Sequence, residues 1–151
     1  MNRRIALLFV LTITTACNRP AKDMQEAQKY LLAADRWYLK QIAMDEVPVF
    51  KDGEHIPHLS GTRFDRHMDW VVFRADGSLE GHFVGDDTTQ LFQWQVYEPQ
   101  QVIALRDSAT GTGGWNIYPR NVYKDAFEME TRSTVYDPPR VTKLTLRFNF
   151  E

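Results

Sequence analysis

Leu144-Thr145-Leu146-Arg147-Phe148-Asn149-Phe150 is the stretch that decides the fold. Apolar side chains alternate with Thr145, Arg147 and Asn149, as in a strand with one face buried and the other wetted. The pattern recurs upstream. Asn121 to Arg132 sets Tyr123, Phe127 and Met129 against Lys124, Glu128 and Glu130. Leu91 to Tyr97 carries Phe92, Trp94 and Val96 on one face, and Ser78 to Val84 carries Leu79 and Phe83. Met68 to Ala75 runs into Asp76-Gly77, a two-residue hairpin signal. Trp37, Leu39 and Gln41 alternate with Arg36, Tyr38 and Lys40. Gln101 to Arg106 and Trp115 to Tyr118 complete the set. Turn residues separate the runs at Glu98-Pro99-Gln100, Gly111 to Gly114 and Asp137-Pro138-Pro139.

Eight short strands with turn signals between them predict an all-β domain, a small antiparallel up-and-down barrel over 35–151. Closing eight strands removes the exposed edges and leaves an interior that is either filled or holds one small ligand. Ahead of it, Asp23 and Glu26 are spaced as a capping box, and Met24, Ala27, Tyr30 and Leu31 recur at helical spacing. A short helix over 23–34 is expected to plug one end of the barrel or lie on its side.

The chain's beginning is of another kind. Arg3 and Arg4 precede the apolar run Ile5 to Ile13, then small Thr14-Thr15-Ala16, then Cys17. That is the layout of a secretory signal over 1–16, and the apolar run is too short to span a bilayer. Cys17 after a small residue resembles a lipobox, with Thr14 where that motif usually has Leu. The resemblance implies acylation (palmitate-type chains) on Cys17, which becomes the mature N-terminus, with 17–22 as a polar tether. Two or three acyl chains anchor stably where one does not. Asn18 leans towards the outer membrane. The alternatives are an ordinary signal peptide with a chance cysteine, and an uncleaved anchor.

Bulk composition narrows the function. The chain has 151 residues, 25% charged and 13% aromatic, as a globular chain does. Its net charge of −2 argues against nucleic acid as a partner, because phosphate neutralisation needs a basic face. No phosphate loop, CxxC pair, HExxH helix or GxSxG elbow is present, and no catalytic residue or cofactor is assigned. A single cysteine allows no intrachain disulfide.

Taken together, Trp37 early in the first strand, Phe73-Arg74-Ala75-Asp76-Gly77, Phe92-Gln93-Trp94 and the aromatic closing strand resemble the lipocalin-like domains of small Gram-negative lipoproteins of the Bacteroidota type. The resemblance covers about Asp35 to Glu151. It implies an up-and-down barrel, a small apolar ligand and no enzyme activity.

The barrel interior is where a ligand is expected. Trp37, Leu39, Gln41, Phe73, Phe83, Trp94, Trp115, Asp125, Phe127 and Met129 are the candidate binding residues, with Leu146 and Phe148 on the same inward face. These aromatics either pack solid or line a pocket with few polar groups. Alternation puts Gln41 beside Leu39 and Asp125 beside Phe127. A buried carboxylate needs a partner, so Asp125 either sits at a wet rim or pairs with Arg106 or Gln41. Val47 to His67 reads as one long connection, about twenty residues, that lids the mouth. Its His55, His58 and His67 with Asp65 make a weak zinc pattern, and solvated loop histidines are the reading; no metal is assigned. His82 is read as a surface residue, and Asp86-Asp87 and Gly111 to Gly114 as turns. The leading expectation is a lipid-anchored module binding a small hydrophobic molecule. A solid barrel that docks on an envelope protein or inhibits an enzyme is the alternative. An enzyme would have to bring Asp125, Arg106 and the loop histidines together.

Overall fold

A computed structural model describes residues 18–59, 61–109, 111 and 114–150. The expected signal segment and Cys17 lie outside them. Helix α1 spans Met24–Ala33. Asp23 caps it, accepting from the Glu26 backbone N–H at 2.8 Å, while the Glu26 carboxylate accepts from the Lys22 N–H. Met24, Ala27, Tyr30 and Leu31 are its buried face, as the helical spacing predicts.

The strands are β1 Trp37–Met44, β2 Val47–Lys51, β3 Glu54–His55, β4 Met68–Phe73, β5 Ser78–Phe83, β6 Thr89–Tyr97, β7 Val102–Asp107, β8 Trp115–Ile117, β9 Ala126–Ser133 and β10 Thr142–Phe150. β4 to β10 follow one another as antiparallel neighbours, and β1 joins β10 to β4. The expected eight-stranded antiparallel barrel is therefore closed, with a short helix before it.

Its closure is uneven. β10 pairs with β1 along its length, from Trp37↔Phe150 to Met44↔Leu144. On its other edge β1 meets β4 only at Trp37↔Val71 and Tyr38↔Trp70. Beyond that point β1 pairs with β2 instead. Among the described residues no ladder joins β2 or β3 to β4. The barrel is thus sealed at the end where β1 begins, here called the floor, and split at the end where it finishes, the mouth.

Two sequence expectations are corrected here. Val47 to His67 is not one long loop. Val47–Lys51 and Glu54–His55 form a hairpin turning at Asp52-Gly53, whose φ angles of 50° and 88° are the left-handed pair such a turn demands. The irregular stretch is 56–67. Asn121 to Asp125 is not strand either: Pro119–Asn121 is a 3₁₀ turn, and the ladder begins at Ala126.

The floor half is packed solid. Phe127 stacks on Phe148 with centroids 5.0 Å apart, and meets Trp37 at 5.2 Å and Phe73 at 5.5 Å edge-on. α1 closes this end. The Trp37 indole N–H donates to the Leu31 carbonyl at 3.0 Å, so the largest inward side chain is satisfied by the helix that covers it. The chain preceding α1 is docked as well: Ala21 is buried and its N–H donates to Val122 O at 2.7 Å.

Candidate functional site: a cavity at the mouth

The mouth half holds a partly open cavity of about 310 Å³. Its wall is Ile42 from β1, Leu144 and Leu146 from β10, Met68 from β4, Phe83 from β5, Phe92 from β6 and Trp115 from β8. These residues are inward for the reason the sequence suggests, alternation on strands with one buried face. Gly81 on β5 makes room among them. A Cβ built there would stand 3.3 Å from both Met68 Sδ and Phe92 Cε2.

The roof comes from two connections. Phe64, Arg66 and His67 enter from the segment 56–67, and Tyr136 enters from the β9–β10 connection. Phe64 is buried, its ring 5.4 Å from that of Tyr136, and Thr62 Oγ1 donates to the Tyr136 carbonyl at 3.2 Å. The lid expected over the mouth is this segment, and the split between β1 and β4 is where it enters.

Polar groups sit at the rim. Arg66 pairs with Asp86 at 2.7 Å and lies 4.3 Å over the Phe83 ring. Gln90 reaches Asp86 at 3.5 Å. His67 Nδ1 is 2.7 Å from the Phe64 carbonyl, and its ring packs on Phe50 at 4.6 Å. Burial raises the Tyr136 phenol above its usual range.

Of the ten candidate binding residues, only Phe83 and Trp115 line this cavity. Trp37, Phe73 and Phe127 belong to the solid floor, and Leu39 and Met129 are buried between the two regions. Trp94 is half-buried, its indole N–H shared between the carbonyls of Arg74 and Ser78, both at 3.1 Å. Gln41 is corrected. A bulge between Leu39 and Gln41 resets the phase, so Ile42 takes the inward place opposite Leu146 and Gln41 stands beside Arg147. Asp125 is exposed at the floor, before β9 begins, and its partner there is Asn18 rather than Arg106 or Gln41.

Ile42, Arg66, Met68, Gln90, Phe92 and Tyr136 also line the cavity and are not among the ten candidates. Phe92 was legible as inward. Phe64 and Tyr136 carried a weaker signal, each a large aromatic in an otherwise polar connection.

Elsewhere the side chains are engaged. His82 is not a free surface residue: Nδ1 is 2.7 Å from Asp69 Oδ1, Nε2 is 3.0 Å from the Asp86 carbonyl, and the ring stacks on Trp70. Arg36 covers the Trp70 ring at 4.0 Å, so that outward tryptophan is not bare. A broader hollow of about 730 Å³ lies outside the barrel, between the end of α1 and the β4–β5 wall. Charged side chains, among them the Arg74–Glu80 pair, line it and it stands open to solvent. Its volume is a surface dish rather than an enclosure, and the mouth cavity is the better ligand site despite being smaller. His55 lies 3.7 Å from Asp65. Among the described residues no three His, Cys, Asp or Glu come together as a metal would need. No family model, no curated protein and no solved structure matches the chain.

Proposed function

We propose that this chain is a membrane-anchored, lipocalin-like lipoprotein that holds a small hydrophobic molecule in the mouth of its barrel. The observation that carries the reading is the cavity of about 310 Å³, walled by Ile42, Phe83, Phe92, Leu144 and Leu146 and roofed by Phe64 and Tyr136. Mostly apolar walls with a few polar rim groups are the usual design of a small-molecule site, and the volume is at the small end of such sites. The anchor is proposed at Cys17. Asn18 contacts Asp125, and Ala21 is fixed to Val122. Both contacts are at the floor. The span from Cys17 to the docked Ala21 is therefore only a few residues, at most about 3.5 Å each when extended. Such a tether keeps the floor near the bilayer and the mouth away from it.

The test is binding of the uncharged fluorophore N-phenylnaphthylamine to the full chain in lipid nanodiscs, with empty nanodiscs as the blank. Saturable binding in excess of the blank is expected; none would sink the ligand-holding reading. Anchoring is tested separately. Cys17→Ala should move the exported protein from the membrane fraction to the soluble one, and a variant that stays with the membrane would contradict lipidation.

A second reading, an envelope interaction or inhibitor protein, is favoured by one observation. Val47, Ile56, Val84, Val135 and Val141 are exposed, and all lie in or beside mouth-end connections. Scattered exposed apolar residues are ordinary on a monomer. That leaves the cavity as the stronger feature.

A further inference from the structure

The roof of the cavity carries hydrogen-bonding groups that the fold does not use, and their chemistry selects a ligand. This inference rests on the ligand-holding reading above.

His67 comes first. Its Nδ1 lies 2.7 Å from the Phe64 carbonyl oxygen. A carbonyl only accepts, so Nδ1 carries the proton. In the neutral ring Nε2 is then a lone-pair acceptor. No partner for Nε2 occurs among the described residues. Tyr136 is the second. Its hydroxyl has no hydrogen-bond partner among the described residues, and burial keeps it a neutral donor. Both residues line the cavity and both flank Phe64: one bonds its carbonyl, the other packs on its ring at 5.4 Å. An acceptor and a donor thus belong to the lining of one apolar space, on residues that both touch Phe64. Thr142, on the inward face of β10 with Leu144 and Leu146, does not line the cavity but is 1% exposed, and its hydroxyl has no partner among the described residues. Such a buried orphan is costly and uncommon in folded proteins.

Charge decides what the head group is not. The cation of the lining is Arg66, and it is committed to Asp86 at 2.7 Å while lying over Phe83. A carboxylate ligand would have to displace Asp86 or share its cation, adding a second negative charge beside it. A hydroxyl would donate to His67 Nε2 and accept from the Tyr136 O–H with no charge left unpaired.

We propose that the cavity takes an uncharged amphipathic molecule, an apolar chain or ring bearing a hydroxyl, with that hydroxyl held between His67 and Tyr136. Deep in the site Ile42, Met68, Phe92 and Leu146 take the apolar part.

The test is displacement of N-phenylnaphthylamine from the full chain in nanodiscs at mildly alkaline pH, by decanol and by decanoate. Decanol is expected to displace the probe with about tenfold the affinity of decanoate, the value of one well-made hydrogen bond plus the avoided charge. Tyr136→Phe should lower the affinity for decanol about fivefold more than it changes that for the probe, since it removes one hydroxyl and keeps the ring. His67→Phe should act alike, and Tyr136→Phe stands alone if that variant misfolds. If the probe binds but decanoate competes as well as decanol, the head-group assignment is overturned and the cavity reading survives. If the probe does not bind at all, the cavity reading fails, and this inference fails with it.

Discussion

The two ends of this barrel are built from the same strands and the same alternation, yet one is solid and the other hollow. At the floor, Trp37, Phe73, Phe127 and Phe148 meet in one cluster and α1 covers them. At the mouth, Phe83, Phe92 and Trp115 border the cavity instead, and among the described residues no helix covers them. The difference is made by backbone pairing as much as by residue size. β1 holds β4 at two positions near the floor and then turns its edge to β2. The wall therefore parts at the mouth, and a loop rather than a strand fills the gap. A barrel can be stable at one end and receptive at the other when its core and its site occupy different halves.

The comparison is broken most directly by truncation. Phe127→Ala should destabilise the protein by about 3–5 kcal/mol, as a large fully buried aromatic does when the surroundings cannot collapse. Phe83→Ala should cost only about 1–2 kcal/mol, because its ring is half-exposed and already borders a void. Urea unfolding of the two variants decides the matter. Equal losses would mean that the mouth is core and not site.

Filling the void separates binding from stability. Gly81 does not have a positive φ, and the atoms nearest an added Cβ are the far ends of Met68 and Phe92. Gly81→Leu should therefore leave stability within about 1 kcal/mol, the gain from removing a strand glycine offsetting the crowding. Probe binding should fall by at least about tenfold, since the new side chain occupies space next to residues that line the cavity. A filled variant that binds as well as the parent would place the ligand elsewhere.

How much of this was legible in the sequence follows the same division. The floor is readable because its contacts come from strict alternation on long strands: the pattern puts Phe127, Phe148 and Trp37 inward, and all three are buried. The mouth was not, for two physical reasons. A one-residue bulge after Leu39 reverses the facing of everything beyond it, and nothing in the local sequence announces it. Strict alternation therefore puts Gln41 inside, where the bulge puts Ile42. The roof is also assembled from Phe64 and Tyr136, far apart in the chain, and no periodicity relates two loops. The β2–β3 hairpin is a different case. Asp52-Gly53 is a turn signal between Val49-Phe50 and Glu54-His55, but the strands that it joins are too short to show a clear alternation.

The smallest expected effect, and the finest test of the comparison, is a difference in sign with pH. At the floor, the Glu26 carboxyl is lowered from 4.5 to about 2, first by the Lys22 N–H and then by Tyr30 and Arg19. A lowered carboxylate contributes stability above its unfolded value, and that contribution is lost as pH falls through about 2. At the mouth, Asp69 raises His82 above its ordinary 6.5, aided by Asp86. Both ring nitrogens face acceptors, so only the imidazolium makes both bonds. A raised histidine contributes fully below 6.5 and loses its contribution as pH rises through the folded value. Hydrogen exchange should then show the Asp86 turn, and with it Arg66 over the cavity, loosening in alkali while α1 stays protected. In strong acid α1 should loosen as Glu26 is protonated. His82→Gln should abolish the alkaline response and leave the acid one intact. Loosening of both ends together at either extreme would show that floor and mouth are one cooperative unit in this respect, and that the division drawn from packing does not extend to electrostatics.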